Sequence, residues 1–392
     1  MPSRNKQQFI EKDLEDRRAR NQFRVLQTLR PDGDGLRVTK GGRQLINFCS
    51  NDYLGLSKHP QVIQRAMDYT ESHGAGSTAS RLITGTYNIH EELEAKLAET
   101  LGREAALIFN SGFQANSTLI DTLTDRHSLV LADKLSHSSL LQGSLASRAA
   151  FQRFDHNNLP HLEKLLEKAA SESYDRILVV TETVFSMDGD RSNVKGIAKL
   201  ANDFNALLFV DDAHAVGVWG EKGLGLGYDI DGIDILLGTC GKAFGSFGAY
   251  VACSAKMKDY LINYCPGFIY TTALPPAVIG AIDAAVEMIP QMQEEREKYH
   301  QNITKVLAAL QDAGFDTGPS STQIIPVILG DESETLELAD WLEEQGILAT
   351  AIRPPTVPEN SSRIRFTLSL KHTDAQIDYL LEKMREWNHA GS

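Results

Sequence analysis

The stretch GTCGKAFGSFGAY, residues 238–250, sets one lysine, Lys242, among four glycines, with Thr239 and Cys240 just before it. Glycine gives up backbone entropy and offers no packing surface, so a glycine-rich loop marks a close approach of backbone to something else. The loop reads either as a surface turn with a solvated lysine or as a lysine presented to a phosphorylated or carbonyl-bearing ligand. It follows the apolar run DILLGT and precedes a second one, AYVAC. Upstream lie AALIF, SLVLA, RILVVTE and ALLFVDDAH, with helical patterns between them. These runs are rich in Val, Ile and Leu without strict alternation, as expected of strands buried on both faces. The pattern predicts an α/β chain with a mostly parallel sheet wrapped by helices.

Bulk properties agree. A chain of 392 residues is long for one core, so two domains are expected. With 42% hydrophobic and 23% charged residues, the composition is that of a globular protein. A net charge of -13 argues against nucleic acid or an anionic membrane as the main partner. Cys49, Cys240, Cys253 and Cys265 show no CxxC spacing and read as reduced, mostly buried thiols. The start is densely charged and lacks the apolar run of a signal peptide, and nowhere do 18 apolar residues run together. A cytoplasmic location follows as the expectation.

Residues 8–29 read as helical, with Phe9, Leu14, Phe23 and Leu26 available for one face. NIHEELEAKLAETLG is an amphipathic helix with Gly102 suited to its C-terminal cap. From about 276 a long helical run reaches about 313, with a kink expected at Pro290. Strand-like TQIIPVIL and SRIRFTLSL follow, separated by the helix ETLELADWLEEQG. The domain boundary is placed near residue 285. The expected organisation is an N-terminal helical segment (1–45), a large domain (46–285) and a smaller C-terminal α/β domain (286–392).

In such sheets ligands sit where strands end and helices begin. After ALIF come Ser111, Gly112 and Phe113, leading into a helix whose N-terminus could hold an anion, or merely a capped turn. After SLVLA comes His137, by itself better read as a capping or core histidine. After RILVVTE come Ser186 and Asp188, which could simply shape a turn. After ALLFV comes Asp211, expensive at the end of an apolar strand unless paired. Asp211 and His214 could ligate a metal, but no third or fourth ligand stands out by spacing. A phosphate-binding P-loop fails for GTCGKAFG, because Leu236 and Ala243 occupy positions that need Gly and Ser or Thr. GLGLG at 223–227 is likewise a poor dinucleotide fingerprint.

Each signal is weak alone. Together they place an anion-binding turn, an acid, two histidines and a lysine at successive strand ends, which is the set pyridoxal 5'-phosphate requires. Lys242 would form the Schiff base, its glycine neighbours leaving room for the ring. Asp211 would partner the ring nitrogen. His214 can reach the phenolic oxygen, and His137 can stack on the ring.

The motifs NFCSNDYLGLS, NSGFQAN, LSHSSL, VFSMDGD, VDDAHAVGVWGEKG, GTCGKAFGSFGA, YTTALPPA and AIRPPTVP run in order across residues 47–358. In this series the chain resembles the α-oxoamine synthase family, fold type I pyridoxal phosphate enzymes that condense an amino acid with an acyl-CoA and lose CO2. The resemblance implies Gly112 and Phe113 at the phosphate and ring edge, and His137 stacked on the ring. It implies Ser186, Asp211 and His214 on the ring substituents, and Thr239 on the phosphate beside Lys242. It puts Thr271 and Thr272 at the neighbouring subunit's phosphate, in a homodimer with active sites at the interface. It gives Arg365 the amino-acid carboxylate, a role suited to a planar two-pronged guanidinium. Arg363 shares that strand face, because strand period is two, so pattern alone does not choose between them. Arg24, Asn51 and Thr356 match substrate-contacting positions, although Arg24 is most simply a solvated helix arginine. AIRPPTVP favours L-alanine and a pimeloyl thioester, of CoA or acyl carrier protein, as substrates. Glycine with acetyl-CoA, glycine with succinyl-CoA, serine with a long-chain acyl-CoA, and aminotransfer on the same scaffold stay as alternatives. A non-catalytic binding protein has no basic stripe, heptad seam or repeat to support it.

Overall fold

The computed structural model describes residues 6–33 and 35–390. By contact the chain divides into two compact units. The larger is Asn51–Gln301 with Ser369–Lys371; the smaller is the described part of Met1–Ser50 with Asn302–Leu368 and His372–Ser392.

The larger unit is built on seven strands: β1 (Ala105–Phe109), β2 (Ser128–Asp133), β3 (Ala150–Phe154), β4 (Arg176–Glu182), β5 (Leu207–Asp211), β6 (Ile235–Thr239) and β7 (Ala249–Cys253). Their order across the sheet is β1-β7-β6-β5-β4-β2-β3. Strand β7 runs antiparallel to both β1 and β6, while all the other pairings are parallel. The mostly parallel sheet expected from the apolar runs is present, and so β1 to β6 end on the same edge. Leu107, Val130, Val180, Phe209, Leu237 and Val251 are fully buried in one core, as strands covered on both faces must be.

Strand β3 (AFQRF) escaped the sequence reading. It is one of the two edge strands, half exposed, and Gln152 and Arg153 interrupt the apolar run that marked the other strands.

The smaller unit carries a four-stranded sheet in the order Arg30–Asp32, Arg37–Lys40, Arg43–Asn47, Ile347–Leu348. It also carries a three-stranded sheet in the order Ile324–Gly330, Ser362–Thr367, Thr350–Ile352, and the helices Glu332–Glu344 and Asp374–Ala390. The helix expected over 8–29 spans only Gln8–Ala19. Asn21 takes a left-handed backbone (φ 53°), which ends the helix, and the chain runs extended into the first strand. Phe9 and Leu14, read as available for one helix face, are 64% and 38% exposed. Pro290 lies in a 3-10 turn between the helices Pro276–Met288 and Gln293–Asp312, where the kink was expected. The contact division falls within the helix Gln293–Asp312. Among the described residues no helix is long and apolar enough to cross a membrane.

One buried charge cluster ties the strand ends together. His156 follows β3 and contacts Asp133 at Nδ1 (2.9 Å) and Asp190 at Nε2 (2.8 Å). Both carboxylates are almost completely buried. Burial alone would lower the imidazole pKa, but the hydrogen bonds and charges of Asp133 and Asp190 raise it to about 10. A raised histidine pKa stabilises the fold fully below the unfolded value of about 6.5 and ceases to do so as pH rises through the folded value. Denaturant titration between pH 6.5 and 10 should therefore show a loss of stability in the wild type that His156→Asn lacks. Parallel curves for the two proteins would contradict the assignment.

Candidate active site

The strand ends converge on Lys242. Its Nζ lies 2.8 Å from His214 Nε2, and His214 Nδ1 lies 2.6 Å from Tyr53 Oη. The imidazole is thus fixed at both nitrogens, between an amine and a phenol. Asn51 Oδ1 accepts from the same phenol at 3.3 Å, which brings Asn51 into this chain of contacts.

Asp211 ends β5 and is 6% exposed. Its Oδ2 accepts from Asn116 Nδ2 (2.7 Å) and its Oδ1 from the backbone N–H of Ala213 (2.9 Å). A buried carboxylate needs such partners, and the helix Gly112–Leu123 supplies one of them. Asn116 also donates to Ser139 Oγ at 2.9 Å, and Ser139 Oγ lies 2.7 Å from His137 Nδ1. His137 caps the helix Ser138–Ala146, accepting from Ser139 N–H. Burial lowers its pKa, the charge of Lys242 lowers it further, and Asp211 only partly offsets this. His137 is therefore a neutral imidazole at physiological pH.

Behind His137 stands Glu182, the last residue of β4, fully buried and opposite Asp211 in register. Its carboxylate accepts the His137 backbone N–H. Burial, reinforced by the charge of Asp211, pushes its pKa well above the ordinary carboxyl range, so it tends to hold a proton.

The turn at residues 111–113, expected to bind an anion, lies next to Thr239. Ser111 caps the helix Gly112–Leu123 by accepting from Gln114 N–H at 3.1 Å. A side chain at Gly112 would put Cβ 2.6 Å from Thr239 Cγ2, so the turn lies directly against Thr239. Phe113 is 49% exposed at the helix start. Asn110 Nδ2 donates to Thr271 Oγ1 (3.1 Å) and to the Thr272 carbonyl (2.8 Å), bringing both threonines to the base of the turn. Ser186 sits in the loop between β4 and the helix Val194–Asp203.

The glycines around Lys242 have a different task from the one expected. A Cβ at Gly238 would strike the Tyr250 ring (2.2 Å), at Gly245 the Ser57 amide nitrogen (2.2 Å), and at Gly248 the Leu274 side chain (2.9 Å) and the Phe109 carbonyl oxygen (3.1 Å). These three let other parts of the chain pack against the loop. Only Gly241 faces open space, with the nearest atom at 3.9 Å. Cys240 is buried beside Lys242, and burial pushes its thiol pKa up, away from thiolate reactivity.

In the smaller unit, Arg24 Nη2 donates to Thr356 Oγ1 at 2.8 Å. Both line a groove of about 610 Å³ together with Leu26, Leu336, Ile352 and Arg353. Arg365 and Arg363 are both buried on the strand Ser362–Thr367. Arg365 Nη1 donates to Thr367 Oγ1 (2.9 Å) and Arg363 Nε to the Ser361 carbonyl (3.0 Å).

Tyr53, Asn116, Ser139 and Glu182 were not singled out from sequence. Tyr53 and Asn116 stand inside NFCSNDYLGLS and NSGFQAN. Glu182 carries the same signal as Asp211, an acid closing an apolar strand.

The aminotransferase class I and II family matches residues 43–384. A putative 8-amino-7-oxononanoate synthase of Desulfosudis oleivorans is 50% identical over 383 residues, covering 98% of this chain and 99% of that protein. Serine palmitoyltransferase from S. paucimobilis with bound PLP–myriocin aldimine superposes with a TM-score of 0.90 at 26% identity, covering 98% of each chain. 8-Amino-7-oxononanoate synthase from Francisella tularensis superposes with a TM-score of 0.76 at 28% identity, covering 88% of this chain and 98% of that one. With its lysine, aspartate and histidines gathered at the strand ends of a fold type I sheet, the chain belongs to the class I and II aminotransferase family and, within it, to the α-oxoamine synthases.

Proposed function

We propose that this protein is an 8-amino-7-oxononanoate synthase of biotin biosynthesis. It condenses L-alanine with a pimeloyl thioester of CoA or acyl carrier protein and releases CO2. The observation that carries the reading is the contact of Lys242 Nζ with His214 Nε2, on the strand edge that also bears Asp211. Full-length identity of 50% to a relative of that name supports it.

The cofactor is pyridoxal 5'-phosphate, and the residues fit it. Gly112 leaves no room for a side chain against Thr239, so the helix N-terminus stays bare for a phosphate. Ser111, Gly112 and Thr239 would hold that phosphate, with Thr271 and Thr272 at the phosphate of the neighbouring subunit in a homodimer. Phe113 would lie at the ring edge, with His137 on the ring face. Ser186 and His214 would hold the ring oxygen, and Asp211 the ring nitrogen. When bound, the cofactor supplies an aldehyde for amines and an electron-withdrawing ring.

The chain's own groups then divide the work. Lys242 Nζ takes the α-proton of the amino acid and later returns one to the same carbon. His214, fixed by Tyr53, holds that amine in place. The Asp211 carboxylate, held by Asn116 and Ala213, keeps a proton on the ring nitrogen. Neutral His137 can donate a hydrogen bond to the thioester oxygen. Over the whole reaction, a bond forms between the alanine α-carbon and the thioester carbonyl carbon. The C–S bond breaks and the thiol leaves. The carboxylate departs as CO2, and the α-carbon is reprotonated. Arg365 binds the amino-acid carboxylate and Asn51 contributes at the substrate end. The groove of Arg24, Arg353 and Thr356 pairs apolar walls with two guanidiniums, which suits an alkyl chain ending in a carboxylate.

A second reading is favoured by one observation: a serine palmitoyltransferase superposes better than a solved 8-amino-7-oxononanoate synthase, 0.90 against 0.76. It would make serine and a long-chain acyl-CoA the substrates.

A CoA-release assay across alanine, glycine and serine, each with pimeloyl-, acetyl-, succinyl- and palmitoyl-CoA, should give the highest kcat/KM for alanine with pimeloyl-CoA. A serine and palmitoyl optimum would replace the first reading by the second. Lys242→Ala should lower turnover by about 10² to 10⁴-fold or more and abolish the visible absorption of the holoenzyme. Survival of that band after dialysis would remove Lys242 from its role. Asp211→Asn should keep some cofactor yet lose about 10² to 10³-fold in kcat; a near-normal rate would exclude it from holding the ring nitrogen.

A further inference from the structure

Three loops leave the strand edge beside the site, and one side chain joins them. Asp133 ends β2, four residues before the candidate ring-facing His137. Its Oδ1 accepts from Leu135 N–H (2.9 Å) and its backbone carbonyl from Ser136 N–H (3.0 Å), so it shapes the turn into His137. Asp190 closes the loop that carries Ser186. The Asp190 carbonyl accepts from Phe185 N–H (3.1 Å), and Val184 bridges to Arg191. Residues 186–189 are therefore held at the tip of a short stem.

His156, on the loop after β3, spans these two aspartates. Carboxylates can only accept, so contacts at both ring nitrogens require both to donate, which is the imidazolium form. Asn157 reinforces the bridge. Its backbone N–H donates to Asp133 Oδ2 (3.0 Å) and its Nδ2 to Asp190 Oδ2 (2.7 Å) and to the Arg191 carbonyl (3.2 Å). The Phe185 ring meets the imidazole edge to face, with centroids 4.4 Å apart. Asp190 Oδ1 is buried without a hydrogen-bond partner, so the side chain's anchorage rests on Oδ2, to which His156 and Asn157 donate.

We propose that His156 is a positioning residue: its imidazolium locks the turn leading into His137 to the loop bearing Ser186, and so sets the spacing of two groups that face the cofactor. The proposal rests on the functional reading above, in which His137 and Ser186 touch the ring. Stability alone gives a weak reason for such a cluster, since well-packed apolar residues commonly replace buried ion pairs without loss. What the ion pairs add is a fixed geometry between the loops beyond the paired ends of β2, β3 and β4.

The test compares wild type, His156→Leu, His156→Asn and Asp190→Asn as purified proteins, well below the melting midpoint of each. The readouts are pyridoxal phosphate affinity, the absorption maximum of the bound cofactor, and kcat and KM measured separately. His156→Leu should weaken cofactor binding and lower kcat by about 10 to 100-fold each, with a shifted absorption maximum and little change in KM. Asp190→Asn keeps an acceptor for His156 and should lose less. Should His156→Leu not fold, His156→Asn carries the same expectation. Folded His156 variants with wild-type kcat, cofactor affinity and spectrum, even if melting earlier, would overturn the proposal. A wild type that neither binds the cofactor nor releases CoA would overturn the functional reading, and this proposal with it.

Discussion

The structure depends on how two acids share the end of one buried sheet. Asp211 and Glu182 face each other across adjacent parallel strands. Two carboxylates at that distance in a low-dielectric setting do not both carry charge cheaply. Their surroundings separate them. Asp211 receives a side-chain amide and a backbone N–H, whereas Glu182 is sealed in, receives the His137 N–H, and is driven toward its neutral form. The two acids therefore end adjacent strands in unlike surroundings.

The Asp211 carboxylate orders its neighbours. Asn116, turned toward Asp211, also reaches Ser139, which fixes His137. Burial lowers the pKa of His137, and the charge of Asp211 only partly offsets this. Lys242 is steered by His214, which is steered in turn by Tyr53. Each group has its orientation set by another, which is the preorganisation that electrostatic catalysis requires. The cluster of His156, Asp133 and Asp190 extends the same logic outward, with opposite signs of charge arranged so that loops, rather than strands, are held.

The glycine-rich loop shows how a correct location can have an unexpected cause. Its lysine stands at a strand end, as the pattern of the chain predicted. Three of its glycines, however, make room for Tyr250, Ser57 and Phe109 rather than for a ligand. At those three positions the loop is bare because the protein packs tightly against it.

The sequence by itself determined the sheet's interior strands and the order of the residues at their ends. A strand buried on both faces is written as an unbroken apolar run, and a polar residue closing such a run is conspicuous for its cost. Asp211 stood out for that reason, Lys242 for its glycine-rich loop, and His137 only when the successive strand ends were taken together. Edge strand β3 was not legible, because an exposed edge tolerates Gln152 and Arg153. The end of the first helix was not, because a left-handed Asn21 leaves no periodicity to read. Only the tertiary structure decided which side chains meet. Tyr53 is 161 residues from His214, Asn116 is 95 from Asp211, and His156 reaches 34 residues to Asp190. Hydrogen bonds and protonation states are properties of distance in space, and a linear pattern does not carry them.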